Sequence, residues 1–361
     1  MEADVKTQVL IIGGGATGTG VARDLALRGV PCILVEKKDI NAGASGANHG
    51  LLHSGARYVS NDPHSATECR DENRLLKQLA PDCIEDTGGF FAAVEGDDEK
   101  FIADFPLLCE KHNLPCRPVD VAEAREKEPA LSDKTIAVYA VEDASIDPFK
   151  LVLENITDAQ KLGCKFIRHT KVIGFRKDGS RIIAVDLENS ITGEKTTVEA
   201  DMVVNATGAW AAEVARLAGA PISVLYSKGT LVITHTRISE RVINRLRPPA
   251  DADILVPGGT VSIIGTTSIR MKTLDNIRPT VDEVDRIVDE GAALMPILEH
   301  ARYIRAYSGV RPLLGGTGDG DDRAVTRGFD LMDHARDGID NLVTITGGKL
   351  TTFRLMAEKT A

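Results

Sequence analysis

Apolar residues repeat along this chain with two different periods, and the changes of period mark its elements. Residues 9–12 form an apolar run that ends in a glycine cluster. Apolar positions at helical spacing follow, and a second apolar run leads to Glu36. From residue 165 to 205 apolar and polar residues alternate, with turn signals at Asp178-Gly179 and Thr192-Gly193. This second pattern predicts a three-stranded meander.

Helical spacing and capping residues predict further helices. Asp147 and Pro148 are typical of an N-cap and a first helical residue. Thr280 and Glu283 have the spacing of a capping box. Residues 221–275 are β-rich, with a hairpin turn expected at Gly258-Gly259. The other predicted helices cover residues 64–80, 97–113, 120–128 and 148–162.

The first strand, turn, helix and strand form a complete dinucleotide fingerprint. Gly13, Gly15 and Gly18 have the G-x-G-x-x-G spacing. In that motif the glycines permit a tight turn, close approach of a pyrophosphate, and close packing of helix on strand. Glu36 is placed to accept hydrogen bonds from an adenosine ribose, and an acid there disfavours NADP. The sequence therefore predicts a dinucleotide site.

A long run of small residues follows this unit. Residues 39–58 read DINAGASGANHGLLHSGARY, a composition that suits a loop pressed against a ligand rather than a surface linker. We call residues 39–58 the wall loop, and expect it to form part of the active site. The acidic, glycine-rich residues 315–323 lack the ligand spacing of an EF-hand, so a mobile loop is expected there rather than a metal site.

Length and composition narrow the class of protein. A chain of 361 residues, 43% hydrophobic and 27% charged, is expected to form two closely packed globular domains. Its net charge of −10 argues against nucleic acid or an anionic membrane surface as a general partner. The six cysteines form no C-x-x-C pair, so reduced thiols in a cytoplasmic protein are expected. No apolar stretch is long enough to predict a transmembrane segment.

The order of these motifs resembles the flavoproteins of the D-amino-acid oxidase superfamily. In particular, the runs GATGTGVARDLALRG, GANHGLLHSGARY, DADILVPGGTVSIIGTTS, RAYSGVRPL and TITGGKLTTFRLMAE resemble FAD-dependent glycerol-3-phosphate dehydrogenases, above all the anaerobic bacterial branch. The resemblance covers nearly the whole chain. Members of that family continue beyond residue 361 with a cysteine-bearing region, so this chain is expected to be a piece of a longer protein.

The resemblance implies an α/β fold with two discontinuous domains. A Rossmann-like FAD-binding domain of the glutathione-reductase or D-amino-acid oxidase type would comprise residues 1–80, 141–215 and 335–361. A mixed-sheet substrate domain would comprise residues 81–140 and 216–334. The cofactor residues implied are Gly13, Gly15, Ala16, Thr17, Gly18, Glu36, Lys37, Ser45, Asn48, His49, Gly50, Leu51, Val172, Ala206, Gly208, Gly309, Gly348, Lys349 and Leu350.

The same resemblance implies a substrate pocket with several cations. Arginine forks suit a phosphate dianion because they bind oxyanions bidentately and stay charged. His53 is the candidate proton acceptor, since an imidazole works as a base near neutrality; a structural, hydrogen-bonded histidine is the alternative. Lys349 would serve either the flavin or the substrate anion. Trp210 is expected to be a buried anchor, with packing over the adenine side of the cofactor as the alternative. The pocket residues implied are His53, Arg57, Tyr58, Arg311, Arg327 and Lys349.

The expected activity is oxidation of sn-glycerol 3-phosphate to dihydroxyacetone phosphate by hydride transfer to the flavin. No second dinucleotide fingerprint is present, so electrons are expected to leave through further subunits to quinone rather than to NAD. The resemblance implies a membrane-bound partner on the acceptor side, and hence a protein peripheral on the inner face of the cytoplasmic membrane. Two alternatives stay open from the sequence. One is a 2-hydroxy-acid or amino-acid oxidase of the same superfamily, and the other is a non-catalytic protein that binds FAD and relays electrons.

Overall fold

A computed structural model describes residues 5–314, 326 and 328–361. That part of the chain contains eight α-helices and twenty strands, and the strands form three sheets. The helices are α1 Ala16–Leu27, α2 Pro63–Leu79, α3 Glu99–Lys111, α4 Val121–Lys127, α5 Pro148–Lys161, α6 Ala211–Ala218, α7 Val281–Leu294 and α8 Phe353–Thr360. The strands are β1 Val5–Ile12, β2 Cys32–Val35, β3 Leu51–Leu52, β4 Ile84–Glu85, β5 Gly89–Val94, β6 Cys116–Val119, β7 Thr135–Val141, β8 Ala144–Ile146, β9 Lys165–Ile167, β10 Thr170–Asp178, β11 Arg181–Asn189, β12 Lys195–Asn205, β13 Leu225–Thr234, β14 Val242–Arg245, β15 Ile254–Gly258, β16 Val261–Gly265, β17 Ile269–Met271, β18 Tyr303–Leu313, β19 Phe329–Asp333 and β20 Leu342–Gly347.

The first sheet has eight strands and is built around β1. Its order is β10-β11-β12-β1-β2-β9, with β20 beside β12 and β19 beside β20. Strand β1 is parallel to both of its neighbours. Val9 and Ile11 pack on one face with α1, α5 and α8, whereas Leu10 and Ile12 pack on the other. A strand buried on both faces must be apolar throughout, which explains the uninterrupted run at residues 9–12.

Helix α1 packs unusually close to the end of β1. A Cβ on Gly18 would overlap the carbonyl oxygen of Gly13, and Gly13 itself has φ of +114°. Only glycine adopts that backbone geometry readily and lets two backbones approach so closely. These two residues therefore fix the angle at which the N-terminus of α1 faces the space above the sheet.

The second sheet has nine strands and covers that space from the other side. Its order is β17-β13-β16-β15-β14-β5-β7-β6, with β18 paired antiparallel along β13. Helix α7 packs on the face of this sheet that carries a separate apolar core. A small third sheet, β3-β8-β4, links the wall loop to the chain entering α5. The two large sheets confirm the predicted α/β fold, a Rossmann-like domain beside a mixed-sheet domain.

The predicted elements agree closely with those of the structure. The meander is β10, β11 and β12, and the hairpin turn joins β15 to β16. Thr280 and Glu283 form the capping box at the start of α7. The domain boundaries stay a prediction. Strand β19 pairs with β20 in the first sheet, and its residues fall within the range 216–334 expected for the substrate domain.

Replacing Gly18 with alanine is expected to lower the free energy of unfolding by about 1–3 kcal/mol, because the added methyl group must push α1 away from β1. The loss is measurable by urea unfolding followed by circular dichroism. Gly258→Ala is the matched control, since a Cβ there would meet no described atom within 4 Å apart from those of its own residue and its two chain neighbours. Equal midpoints for the two variants would contradict this account of the packing.

Candidate active site

A cavity of about 550 Å³ lies between the two large sheets. Its walls are the turn after β1, the wall loop, the facing strands β13 and β18, and the turn that follows β20. The carboxyl ends of β1, β12 and β20 all point to it because these strands are parallel. Crevices outside the carboxyl ends of parallel strands are the usual ligand sites of such folds.

The cavity gathers most of the residues that the sequence singled out. Gly18 and Gly50 do not line it: Gly18 packs against Gly13, and Gly50 lies against the carbonyl oxygen of Ile146. Arg327 and residues 315–323 lie outside the described residues. The predicted residues that line the cavity are Gly13, Gly15, Ala16, Thr17, Glu36, Lys37, Ser45, Asn48, His49, Leu51, His53, Arg57, Tyr58, Val172, Ala206, Gly208, Gly309, Arg311, Gly348, Lys349 and Leu350.

The end of the cavity at α1 fits a dinucleotide. Gly15 is the N-cap of α1 and offers no capping side chain, so the helix terminus opens directly to the cavity. The Glu36 carboxylate accepts hydrogen bonds from the backbone N–H groups of Gly14 and Lys38, each at 2.8 Å. The Ser45 hydroxyl accepts one from the N–H of Ala16 at 2.9 Å. Backbone dipoles, a small hydroxyl and a fixed carboxylate are the groups that hold a diphosphate and a ribose.

Trp210 and Lys37 lie together at the same end. The Lys37 ammonium sits 3.9 Å from the centre of the Trp210 ring, which is a cation–π contact. Burial lowers the pKa of Lys37, while Glu213 and Glu36 act to raise it. Trp210 is only partly buried and lines the cavity, so the expectation that it is a buried anchor is wrong.

Two neutral histidines lie deeper in the cavity. Burial lowers the pKa of His53 well below its ordinary value, and the neighbouring His49, Lys349 and Arg57 add to this effect. Burial, Arg311 and Arg57 lower the pKa of His49 to about 3. The Nδ1 atoms of both rings are buried without a hydrogen-bond partner among the described residues. Such orphaned atoms are costly unless a ligand or water satisfies them.

Tyr58 and Lys349 complete the histidine cluster. The Tyr58 hydroxyl lies 3.3 Å from Nε2 of His53, and the Lys349 ammonium lies 5.0 Å from the centre of the Tyr58 ring. The backbone N–H of His53 donates to the Thr351 hydroxyl at 3.1 Å, which ties the wall loop to the turn after β20. The arrangement holds a neutral imidazole beside a phenol and a cation.

Arg57 is not an unpaired cation, which sequence reasoning did not anticipate. Its Nη2 lies 2.6 Å from Oδ2 of Asp253, a carboxylate with a side chain only 1% exposed. The same carboxylate accepts a hydrogen bond from Nε of Arg247 at 2.8 Å and from the N–H of Ala250 at 2.6 Å. Asp253 therefore balances part of the positive charge at this side of the cavity and orients Arg57.

Arg311, on strand β18, lies across the floor of the cavity over the neighbouring strand β13. Its guanidinium donates to the Thr266 hydroxyl and, at 3.3 Å, to the carbonyl of Thr267. A Cβ on Gly229 would lie 2.8 Å from its Cζ, so the guanidinium rests directly on that glycine. The sequence analysis singled out none of Gly229, Thr266 and Asp253. Thr266 and Asp253 lie within the run 251–268 that carries the resemblance, but no local pattern shows that they contact the two arginines.

Among the described residues no helix combines the length and the apolar character needed to cross a bilayer. Within the same residues no three His, Cys, Asp or Glu side chains cluster as metal ligands would.

Comparison with known proteins places the chain in a family. The model of the FAD dependent oxidoreductase family matches residues 8–361. The chain therefore belongs to the FAD dependent oxidoreductase family, and its cofactor is FAD. The dinucleotide end of the cavity fits that cofactor.

Individual relatives with similar sequences are known within this family. The chain is 47% identical over 355 residues to one subunit of the anaerobic glycerol-3-phosphate dehydrogenase of Escherichia coli, covering 98% of this chain. It spans 66% of that relative, slightly less than two thirds.

Among solved structures, glycine oxidase from Geobacillus kaustophilus matches with a TM-score of 0.81 at 22% identity, over 98% of this chain and 93% of that one. L-alpha-glycerophosphate oxidase from Mycoplasma pneumoniae, with FAD bound, matches with a TM-score of 0.77 at 19% identity, over 99% and 94%. These two structures share the fold.

The low pKa of His53 predicts a pH-dependent stability. Below about pH 6.5 the unfolded chain binds a proton at this residue that the folded chain does not, so the free energy of unfolding falls as the pH falls. One such proton corresponds to a slope of about 1.4 kcal/mol per pH unit. We expect the stability of His53→Gln to depend less steeply on pH by this amount between about pH 5 and 6. Urea unfolding at several pH values tests it, and parallel curves for the variant and the unmodified protein would refute it.

Proposed function

We propose that this protein oxidises sn-glycerol 3-phosphate to dihydroxyacetone phosphate with FAD as the oxidant. The observation that carries the proposal is the gathering of Arg57, Arg311 and Lys349 around one cavity that also holds two neutral histidines. A protein with a net charge of −10 concentrates cations in a pocket when its ligand is anionic. The name of the Escherichia coli relative supports the same substrate.

The cations would bind and orient the phosphate. Arg311 presents a planar fork fixed by two hydrogen-bond acceptors, which suits bidentate binding of a phosphate. Lys349 adds a point charge from the turn after β20. Asp253 keeps Arg57 in place and limits the net charge of the pocket. Binding the phosphate at two or three points would fix the rest of a three-carbon substrate in the cavity.

His53 would accept the proton of the C2 hydroxyl. Its ring is neutral at physiological pH because burial and neighbouring cations lower its pKa, so its acceptor nitrogen is available. The Tyr58 hydroxyl contacts Nε2 and would orient the ring. FAD, when bound, supplies the two-electron acceptor for the hydride that leaves C2. A bound dianion would raise the pKa of His53 and favour the proton transfer, since a negative charge stabilises the imidazolium.

Electron exit is part of the same proposal. The relative is by name one component of a larger dehydrogenase, which supports transfer to further subunits and then to quinone. Attachment to the inner face of the cytoplasmic membrane would follow from that partnership. The role of Arg327 in the substrate pocket also stays a proposal.

A second candidate is oxidation of a 2-hydroxy acid or an amino acid, which the fold shared with glycine oxidase favours. A carboxylate carries one charge and needs fewer cations than the cavity provides. An electron relay without substrate chemistry is the third candidate. The orphaned nitrogens of His49 and His53, in a cavity that Arg57, Arg311 and Lys349 also line, favour a substrate over a relay.

Anaerobic addition of glycerol 3-phosphate to the FAD-loaded protein is expected to bleach the yellow colour of the oxidised flavin. Absorption near the visible flavin band measures the effect. Amino acids and 2-hydroxyglutarate serve as comparison substrates and are expected to leave the colour unchanged. Bleaching by one of them alone would favour the second candidate, and no bleaching by any would favour the relay.

Arg311→Ala is expected to raise the apparent Kd for glycerol 3-phosphate in flavin reduction roughly 100-fold, because a charged hydrogen-bond donor to an anion contributes about 3 kcal/mol. Arg305→Ala is the matched control, since Arg305 is an exposed arginine on the same strand. Stopped-flow absorbance without oxygen measures both variants. Unchanged flavin reduction in Arg311→Ala would remove the main support for a phosphate site.

A further inference from the structure

Strand β13 separates the cavity from a buried charged network. Gly229 and Leu231 face the cavity, whereas Lys228 and Thr230 point to α7 on the opposite side of the sheet. This alternation is the ordinary geometry of a strand. One strand therefore contacts both the Arg311 guanidinium and the groups beneath it.

The network beneath the strand is centred on the carboxylate of Glu283. It lies 2.8 Å from the Lys228 ammonium, and both side chains are nearly buried. It also accepts hydrogen bonds from the hydroxyls of Thr230 and Thr267 at 2.8 and 3.0 Å. Burial opposes its charge, but Lys228 and the hydroxyl donors hold the pKa of Glu283 below its ordinary value. A buried ion pair of this kind is costly unless its hydrogen bonds are satisfied, as they are here.

Thr267 connects this network to the cavity. Its side chain donates to Glu283 and accepts from the N–H of Thr230 at 3.0 Å, while its carbonyl oxygen accepts from Arg311. The adjacent Thr266 hydroxyl is the second acceptor for the same guanidinium. The segment that orients Arg311 is thus held from the far side of the sheet.

Gly229 provides the clearance for this arrangement. Arg311 pairs with Ser227 across the two strands, and its guanidinium extends diagonally over Gly229. A methyl group at residue 229 would occupy the space of the guanidinium, which is the movable end of a long side chain. Alanine there would displace the guanidinium before it disturbed the backbone.

We propose that Gly229 is a specificity-determining position. Because Gly229 has no side chain, the Arg311 guanidinium can lie flat on the cavity floor and bind an oxyanion bidentately. Thr266 and the hydrogen bond between Thr267 and Glu283 beneath the sheet help to hold it there. This inference rests on the proposed function, because it assigns the structural basis for selecting a phosphorylated substrate. Gly229, Thr266, Thr267 and Glu283 are positioning residues that act through Arg311.

The first test measures binding of inorganic phosphate to the FAD-loaded protein by isothermal titration calorimetry at constant ionic strength. Gly229→Ala is expected to raise the Kd for phosphate roughly tenfold or more, as displacement of one charged donor costs at least about 1.4 kcal/mol. Gly258→Ala, on strand β15 with open space at its Cβ, is expected to bind phosphate like the unmodified protein. Equal affinity in Gly229→Ala, or no phosphate binding by the unmodified protein, would overturn the inference.

A second pair of variants tests the other side of the guanidinium. Thr266→Val keeps the branched shape but removes the acceptor, and it is expected to weaken phosphate binding and raise the apparent Kd for glycerol 3-phosphate more than it lowers the limiting rate of flavin reduction. Thr266→Ser keeps the hydroxyl and is expected to restore both phosphate binding and the apparent Kd for glycerol 3-phosphate. A Thr266→Ser variant as weak as Thr266→Val would point to a merely structural role and count against the inference.

The two levels of the proposal fail in different ways. If glycerol 3-phosphate does not bleach the flavin, yet Gly229→Ala loses phosphate binding and the control Gly258→Ala retains it, then the inference stands and the proposed substrate is wrong. If glycerol 3-phosphate bleaches the flavin in the unmodified protein and in Gly229→Ala with the same apparent Kd, then the proposed function stands and the inference fails.

Discussion

The contact between Gly18 of α1 and the carbonyl of Gly13 at the end of β1 is the constraint on which the site depends. It brings the start of a helix, whose N-cap Gly15 carries no side chain, to the carboxyl edge of a sheet buried on both faces. A side chain at either glycine would move the helix axis and turn its terminal N–H groups away from the crevice. The chemistry proposed for the cavity therefore depends on a steric condition between two backbones.

The site also depends on the packing of strand β18 against the wall loop. A Cβ on Gly309 would lie 2.5 Å from the carbonyl oxygen of Ala47, and the Tyr307 hydroxyl donates to the carbonyl of Asn48 at 2.7 Å. These contacts join the second sheet to the first across the cavity. Because Arg311 follows on the same strand, the contact that closes the site also fixes where its cation lies. Strand β18 therefore sets both the closure of the cavity and the position of the Arg311 charge.

The sequence predicted what depends on local pattern. The turn at Gly13, the carboxylate of Glu36 and the small residues of the wall loop follow from spacing and composition, and all three line the cavity. The sequence could not predict what depends on tertiary contacts. The pairing of Arg57 with Asp253 spans 196 residues, and the place of β19 in the first sheet depends on pairing with β20, which no hydrophobic period records. The low pKa of His53 depends on burial, which cannot be derived from the residue type.

Trp210 gives the molecule a useful optical property. It is the single tryptophan of the chain, and it stands on the wall of the dinucleotide end beneath the Lys37 ammonium. Its indole emission overlaps the near-ultraviolet absorption of flavins, so FAD bound in the cavity is expected to quench the tryptophan fluorescence of the protein. Loading and release of the prosthetic group can thus be followed in real time without a label.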